Sequence, residues 1–169
     1  MEDLLPILRC PRTGARLERR ENALIAQGSG TTYPIIDGIP DLRYPPVRMK
    51  LDVPWFEPWD ELERLDLSFP PTQRDEKLPY HLDRHLASIP GTAGAGRVVL
   101  EVGCGERQCE DWFQGHGFRY IGLDFDRRGP GPHVQADAHN LPVATESVDF
   151  CTSMAVYEHL ASPLTAALE

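Results

Sequence analysis

Three carboxylates and two glycines in the second half of the chain have the types and spacing of a nucleotide-type site. Glu101 precedes Gly103 by two residues and Gly105 follows, at the end of the run Val98-Val99-Leu100-Glu101-Val102. A β-branched apolar run that breaks into glycines reads as a buried strand entering a tight turn. Lacking a Cβ, Gly103 and Gly105 can take positive φ and let a ligand touch main chain. Gln108 to Phe113 can then begin a helix whose free N–H groups face that ligand. Gln108 stands where a dinucleotide fingerprint would carry its third glycine, so a pyrophosphate is poorly served. An acid at Glu101 suits instead a ligand bearing an ammonium and a sulfonium, because opposite charges in a partly buried cleft attract.

Two more acids close later strands. Phe118 to Asp124 reads as a second buried strand whose terminal aspartate, about twenty residues beyond the glycines, can accept both ribose hydroxyls. A short strand His133 to Ala136 then ends at Asp137-Ala138. Carboxylates at the ends of successive parallel strands fall on one edge of the sheet, around one crevice. A Leu141-Pro142 turn and Ser147-Val148-Asp149 lead into a fourth strand, followed by Tyr157-Glu158-His159. No catalytic residue is assigned; Glu158 and His159 are candidates, with helix capping or packing as the alternative for His159.

This ordered set over residues 97–160 resembles the class I S-adenosylmethionine-dependent methyltransferases, from their first motif to just past the fourth. The resemblance implies an α/β fold with a Rossmann-like, doubly wound parallel sheet and S-adenosyl-L-methionine as cofactor. It places Glu101, Gly103 and Gly105 at the methionine moiety, Asp124 at the ribose, Asp137 at the adenine amine and the Ala138 N–H at the adenine ring. Glu158 and His159 fall where substrate-facing residues lie in the family. Arg107 occupies a position that is glycine in many members, so crowding is expected there. The family's sheet has strand order 3-2-1-4-5-7-6, and this chain stops in the helix after the fourth strand. The expectation is an incomplete form of a longer enzyme, with strand four a raw edge open to self-association or to a partner.

The preceding elements must support this unit, expected over 97–169. Residues 1–43 carry short strand-like runs at Leu17, Ala23 to Ala26 and Thr32 to Ile36, separated by turn signals. They resemble a small zinc-ribbon family that includes the activator subunit of several methyltransferases. The positions matching that family's four thiolates are Cys10, Thr13, Ala26 and Ser29, so no metal is expected; Tyr33-Pro34-Ile35 and Ile39-Pro40 are read as its packing face. Residues 44–96 form a proline-rich insert, with Trp55, Phe56 and Trp59 as apolar anchors and short helices expected over 57–67 and 77–89. His81 and His85, one helical turn apart, lack an evident third ligand and read as solvated or packed.

The composition narrows the function further. Seventeen Lys and Arg against 26 Asp and Glu give a formal charge of −9, which disfavours gripping nucleic acid through phosphates. No leader-length or membrane-length apolar run appears, so a cytoplasmic location is expected. The four cysteines read as reduced, with Cys104 and Cys109 near the glycine turn as fillers. Two function classes remain open. One is a methyltransferase acting on a small-molecule or glycan/lipid-precursor acceptor; the other is a non-catalytic cofactor-binding or protein-interaction module that keeps the fold.

Overall fold

The computed structural model describes residues 1–44, 82–84, 96–127 and 129–169. The helix expected over 57–67, most of that over 77–89, the anchors Trp55, Phe56 and Trp59, and His81 and His85 lie outside the described residues. Within the second helix, residues 82–84 are helical as expected.

Among the described residues, two four-stranded sheets make up the frame. The first is an antiparallel meander of β1 (Leu17–Arg20), β2 (Ala23–Ala26), β3 (Thr32–Ile36) and β4 (Ile39–Pro40). Its last hairpin turns on Asp37-Gly38, both with positive φ (51° and 82°). That pair is what a two-residue connection with the twist of its flanking strands requires. The second sheet contains β5 (Val98–Val102), β6 (Arg119–Asp124), β7 (Val134–Gln135) and β8 (Phe150–Thr152), all parallel, in the order β7-β6-β5-β8. Helix α1 (Glu110–Gly115) connects β5 to β6; a 3₁₀ turn (Tyr157–His159) and α2 (Pro163–Leu168) follow β8. α2 begins as its sequence dictates, with Ser162 Oγ accepting from the Thr165 N–H and proline in the first turn.

Alternation along β5 and β6 separates two layers. Val99 and Tyr120 join Cys104, Cys109, Phe113, Phe118 and Leu82 on the α1 side. Phe113 holds that layer together, with its ring 5.7 Å from Phe118 edge-on and 5.9 Å from Tyr120 in a stack. On the opposite face, Leu100, Val102, Ile121, Leu123 and Val134 form one cluster with Leu4, Leu8, Leu24, Tyr33 and Leu42 of the N-terminal segment. Among the described residues, this face of the parallel sheet is therefore covered by the N-terminal meander and not by a helix, which departs from the doubly wound expectation. The physical reason is apolar complementarity: Leu8, Leu24 and Leu42 are wholly buried, and their removal from water drives the docking.

Main-chain pairing reinforces that contact. The Arg9 N–H donates to Pro142 O at 2.8 Å and the Ala144 N–H to Ile7 O at 2.8 Å, around a Leu8–Val143 bridge. At the other side Asp41 bridges Gln135 in parallel, and the Leu42 N–H donates to Gln135 O at 2.9 Å. The strand system thus continues past β7 into the N-terminal segment. The expected packing face was only partly right: Tyr33 and Pro40 are buried, but Leu8, Leu24 and Leu42 are more completely enclosed.

Candidate functional site

The C-terminal edge of β5 opens into the glycine turn. Gly103 and Gly105 both take positive φ (76° and 51°). A Cβ on Gly103 would lie 2.2 Å from Cγ2 of Val156, whereas one on Gly105 would meet nothing within 4 Å. The first glycine therefore admits a close neighbour, and the second faces open space into which a ligand could approach main chain. The Gly103 and Cys104 N–H groups both donate to Leu123 O, at 2.8 and 3.0 Å, which anchors the turn to β6.

Arg107 has φ of 58°. A non-glycine residue is thus held in the left-handed region here, where a side chain costs strain. This bend delays α1, which starts at Glu110 after Cys109 and not at Gln108. The guanidinium compensates through Nη1, which donates to Glu110 Oε2 at 2.9 Å, and it lies beside the His133 ring, whose Nδ1 accepts from the Gly122 N–H at 3.1 Å. Burial, and after it the Arg107 charge, lower the His133 pKa to about 4. The stability that neutral His133 contributes is thus present above its ordinary pKa near 6.5 and is lost as pH falls through about 4. An NMR titration of the His133 ring is expected to show its midpoint near pH 4; a midpoint near 6.5 would show that the ring is neither desolvated nor held beside Arg107.

Glu101 lies in β5, two residues before Gly103, and is buried. Its carboxylate is 3% exposed and accepts from Tyr120 Oη and from Cys109 Sγ, the latter at 3.2 Å. Through these bonds Glu101 ties β5 to β6 and to Cys109, the residue just before α1. Burial pushes its pKa up, against the lowering effect of its two donors. Strand alternation puts Glu101 on the same face as Val99, and its partners Tyr120 and Cys109 belong to that layer. Cys104 and Cys109 are both buried thiols raised in pKa, first by desolvation.

Asp124 closes β6 at the same edge. Its Oδ2 accepts from the Gly105 N–H at 2.7 Å and its Oδ1 from the Asp126 N–H at 2.8 Å. A half-buried carboxylate oriented by two backbone donors keeps lone pairs for further donors. Asp137 lies just past β7 and is 4% exposed, with half-buried Ala138 next to it. Its Oδ1 accepts from the backbone N–H and the Nδ1 of His139, at 2.9 and 2.7 Å. His139 is a partner that the sequence reading did not single out; an aspartate with histidine two residues on was the available signal.

The segment after β8 folds back onto the turn. Ala155 takes φ of 52°, and Val156 then lies against Gly103. Glu158 and His159, in the 3₁₀ turn that follows, are both exposed. The structure thus brings Gly103, Gly105, Asp124 and Val156 together, and leaves Glu158 and His159 exposed in the 3₁₀ turn that follows. No group of three or more His, Cys, Asp or Glu side chains able to hold a metal occurs among the described residues. Cys10 instead lies with its Sγ 3.0 Å from Tyr33 Oη. No helix of the described residues is long and apolar enough to cross a membrane.

Comparison with known proteins bears on both halves. Residues 2–38 match the family described as Trm112p-like protein. Residues 74–169 match the methyltransferase domain family. An uncharacterized methyltransferase of Mycobacterium ulcerans is 37% identical over 84 residues, covering 43% of this chain and 33% of the relative. One from Mycobacterium leprae is 37% identical over 87 residues, 45% of this chain and 32% of the relative. Another from a Mycobacterium species, strain KMS, is 38% identical over 81 residues, 43% of this chain and 32% of the relative. The chain thus spans about a third of the length of these curated relatives. Since the matched residues 74–169 make up more than half of the sequence, the chain belongs to the methyltransferase domain family.

Proposed function

We propose that this chain binds S-adenosyl-L-methionine across the C-terminal ends of β5, β6 and β7 and serves methyl transfer to a small-molecule or glycan/lipid-precursor acceptor. The observation that carries this reading is the hydrogen bond from the Gly105 N–H to Asp124 Oδ2 at 2.7 Å. It locks an open glycine turn to a carboxylate at the adjacent strand end, so that one ligand can meet main chain and acid together.

The residues fit such a cofactor. The face of Gly105 is free of side chains within 4 Å, which leaves room for the methionine portion against main chain. Asp124 is the acceptor for the ribose hydroxyls, Asp137 for the adenine amine, and the Ala138 N–H the donor to the ring. Glu101 supports the turn through Tyr120 and Cys109 and contributes negative potential from within the α1 layer. Bound there, the cofactor would supply an electrophilic methyl group on a sulfonium. The chain's own contribution is orientation, because an aligned acceptor atom about 3 Å from its target gains much of the attainable rate from proximity alone. Val156 and the Tyr157–His159 turn border the acceptor side, and Glu158 and His159 are the titratable groups nearest to it in sequence. The net charge of −9 favours a small or uncharged acceptor over nucleic acid.

Calorimetric titration with S-adenosylhomocysteine tests this reading. Asp124→Ala removes the acceptor and is expected to weaken binding by roughly tenfold to a hundredfold, the equivalent of about 1.5 to 3 kcal/mol for charge-assisted bonds. Unchanged affinity in a folded variant would take Asp124 out of the site, and no binding by the parent chain would refute the proposal.

A further inference from the structure

We propose that His139 is a positioning residue, which fixes the Asp137 carboxylate for its ligand and ties it to the segment after β8. The inference rests on the reading of Asp137 as the adenine-side acceptor. It concerns how that acid is held, by a residue outside the motif.

Asp137 and His139 are 4% and 7% exposed, so neither can lean on bulk water to satisfy its polar atoms. At one end of the imidazole, Nδ1 lies 2.7 Å from Asp137 Oδ1. At the other, the Ser162 N–H is directed at Nε2 from 3.2 Å. A backbone N–H can only donate, so Nε2 must present its lone pair. The ring proton therefore sits on Nδ1 and is donated to Asp137. The tautomer follows from the partners.

Two consequences come from this arrangement. Oδ1 takes both donors of one residue, the His139 N–H at 2.9 Å and Nδ1–H. Oδ2, which accepts no hydrogen bond among the described residues, is then the oxygen turned over to a ligand donor, and the carboxylate plane cannot rotate to exchange the two. Ser162 also caps α2 through its Oγ. The same residue that starts the last helix thus seats the far side of the ring. His139 spans from the end of β7 to the chain beyond β8, so the cofactor-side acid and the acceptor-side segment are held in register by one imidazole.

Nitrogen-15 NMR of the imidazoles in the whole chain, without ligand, reads the tautomer directly. His139 is expected to carry its proton on Nδ1, with a downfield proton resonance that disappears in Asp137→Asn. S-adenosylhomocysteine titrations of three variants then separate the two bonds. His139→Ala and His139→Gln, which remove the donor to Asp137, are expected to bind about tenfold more weakly than the parent. His139→Asn places a carboxamide donor near the Nδ1 position and is expected to recover affinity to within about threefold of the parent. Thermal unfolding of the same proteins identifies any that fail to fold, and the NMR result on the parent stands independently of them. A proton on Nε2 in the parent would overturn the inference. So would a His139→Gln protein binding as tightly as a parent that binds. If the parent shows the Nδ1 proton yet binds no S-adenosylhomocysteine, the proposed function fails, and with it the role of His139 toward a ligand.

Discussion

Gly103→Ala is expected to destabilise the protein by roughly 2 to 5 kcal/mol and to abolish ordered packing of the residues after β8. Two costs combine in that estimate. A side chain held at left-handed φ costs about 1 to 2 kcal/mol, and Gly103 sits at 76°. Overpacking a close contact costs about 1 to 3 kcal/mol, and the new Cβ would be 2.2 Å from Val156 Cγ2 and 2.9 Å from Cγ1. The turn cannot retreat, because the Gly103 and Cys104 N–H groups are both bonded to Leu123 O. Val156 must therefore give way, and with it the approach to the 3₁₀ turn. A double-mutant cycle separates the two terms. Val156→Ala in the Gly103→Ala background removes both Cγ atoms and leaves only the Val156 Cβ at 3.1 Å. It should therefore recover most of the steric part, leave the backbone part, and make the pair less destabilised than the sum of the two single variants. Chemical denaturation of the four proteins gives the cycle. Strict additivity would show that the two residues do not meet.

The parts of this site legible in the sequence are those set by local chemistry. A β-branched run must be buried, a glycine pair must turn, and an acid at the end of the next strand must reach the same edge; β5, the turn and Asp124 followed from those rules alone. What was not legible depends on which face meets which partner. Glu101 was placed correctly along the chain, yet its direction is set by Tyr120 on the neighbouring strand and by Cys109 beyond the turn. His139 was not singled out, because its second bond comes from Ser162, in a distant part of the chain. Arg107 illustrates the intermediate case: its replacement of a glycine was visible, but the Glu110 ion pair that helps hold it in a left-handed bend was not.

The N-terminal meander extends this lesson to the whole fold. Its short strands and turns were readable one by one, as was the improbability that so few residues would fold without help. Which surface supplied the help was not, because no periodicity within residues 1–43 encodes the apolar face of a sheet far along the chain. The structure resolves this by burying Leu8 and Leu42 completely, one beside Val143 and the other beside Gln135. The meander also reaches the loop after Asp124. The Arg43 guanidinium lies 5.1 Å from the Phe125 ring, and Arg127 pairs with Asp37 at 2.9 Å. These contacts tie the N-terminal segment to Phe125, the residue after Asp124.

Leu8→Ala should consequently destabilise both sheets at once, by about 2 to 5 kcal/mol, the range for truncating a leucine in a core that relaxes incompletely. Leu8 has no exposed surface and belongs to the cluster that includes Leu100, Ile121 and Leu123 of the parallel sheet. Its backbone neighbours Ile7 and Arg9 are bonded to Ala144 and Pro142. The cavity left by the substitution therefore cannot close by moving the meander without breaking those bonds. Because the core is shared, the loss should appear as a shift of a single cooperative unfolding transition, and not as early melting of residues 1–43 alone. Hydrogen exchange should show the same thing locally, with protection of Ile121 and Leu123 falling together with that of Leu24. If β5 and β6 kept their full protection while β1 to β3 exchanged freely, the meander would be an independent unit resting on the sheet, and the covered face would owe little of its stability to Leu8.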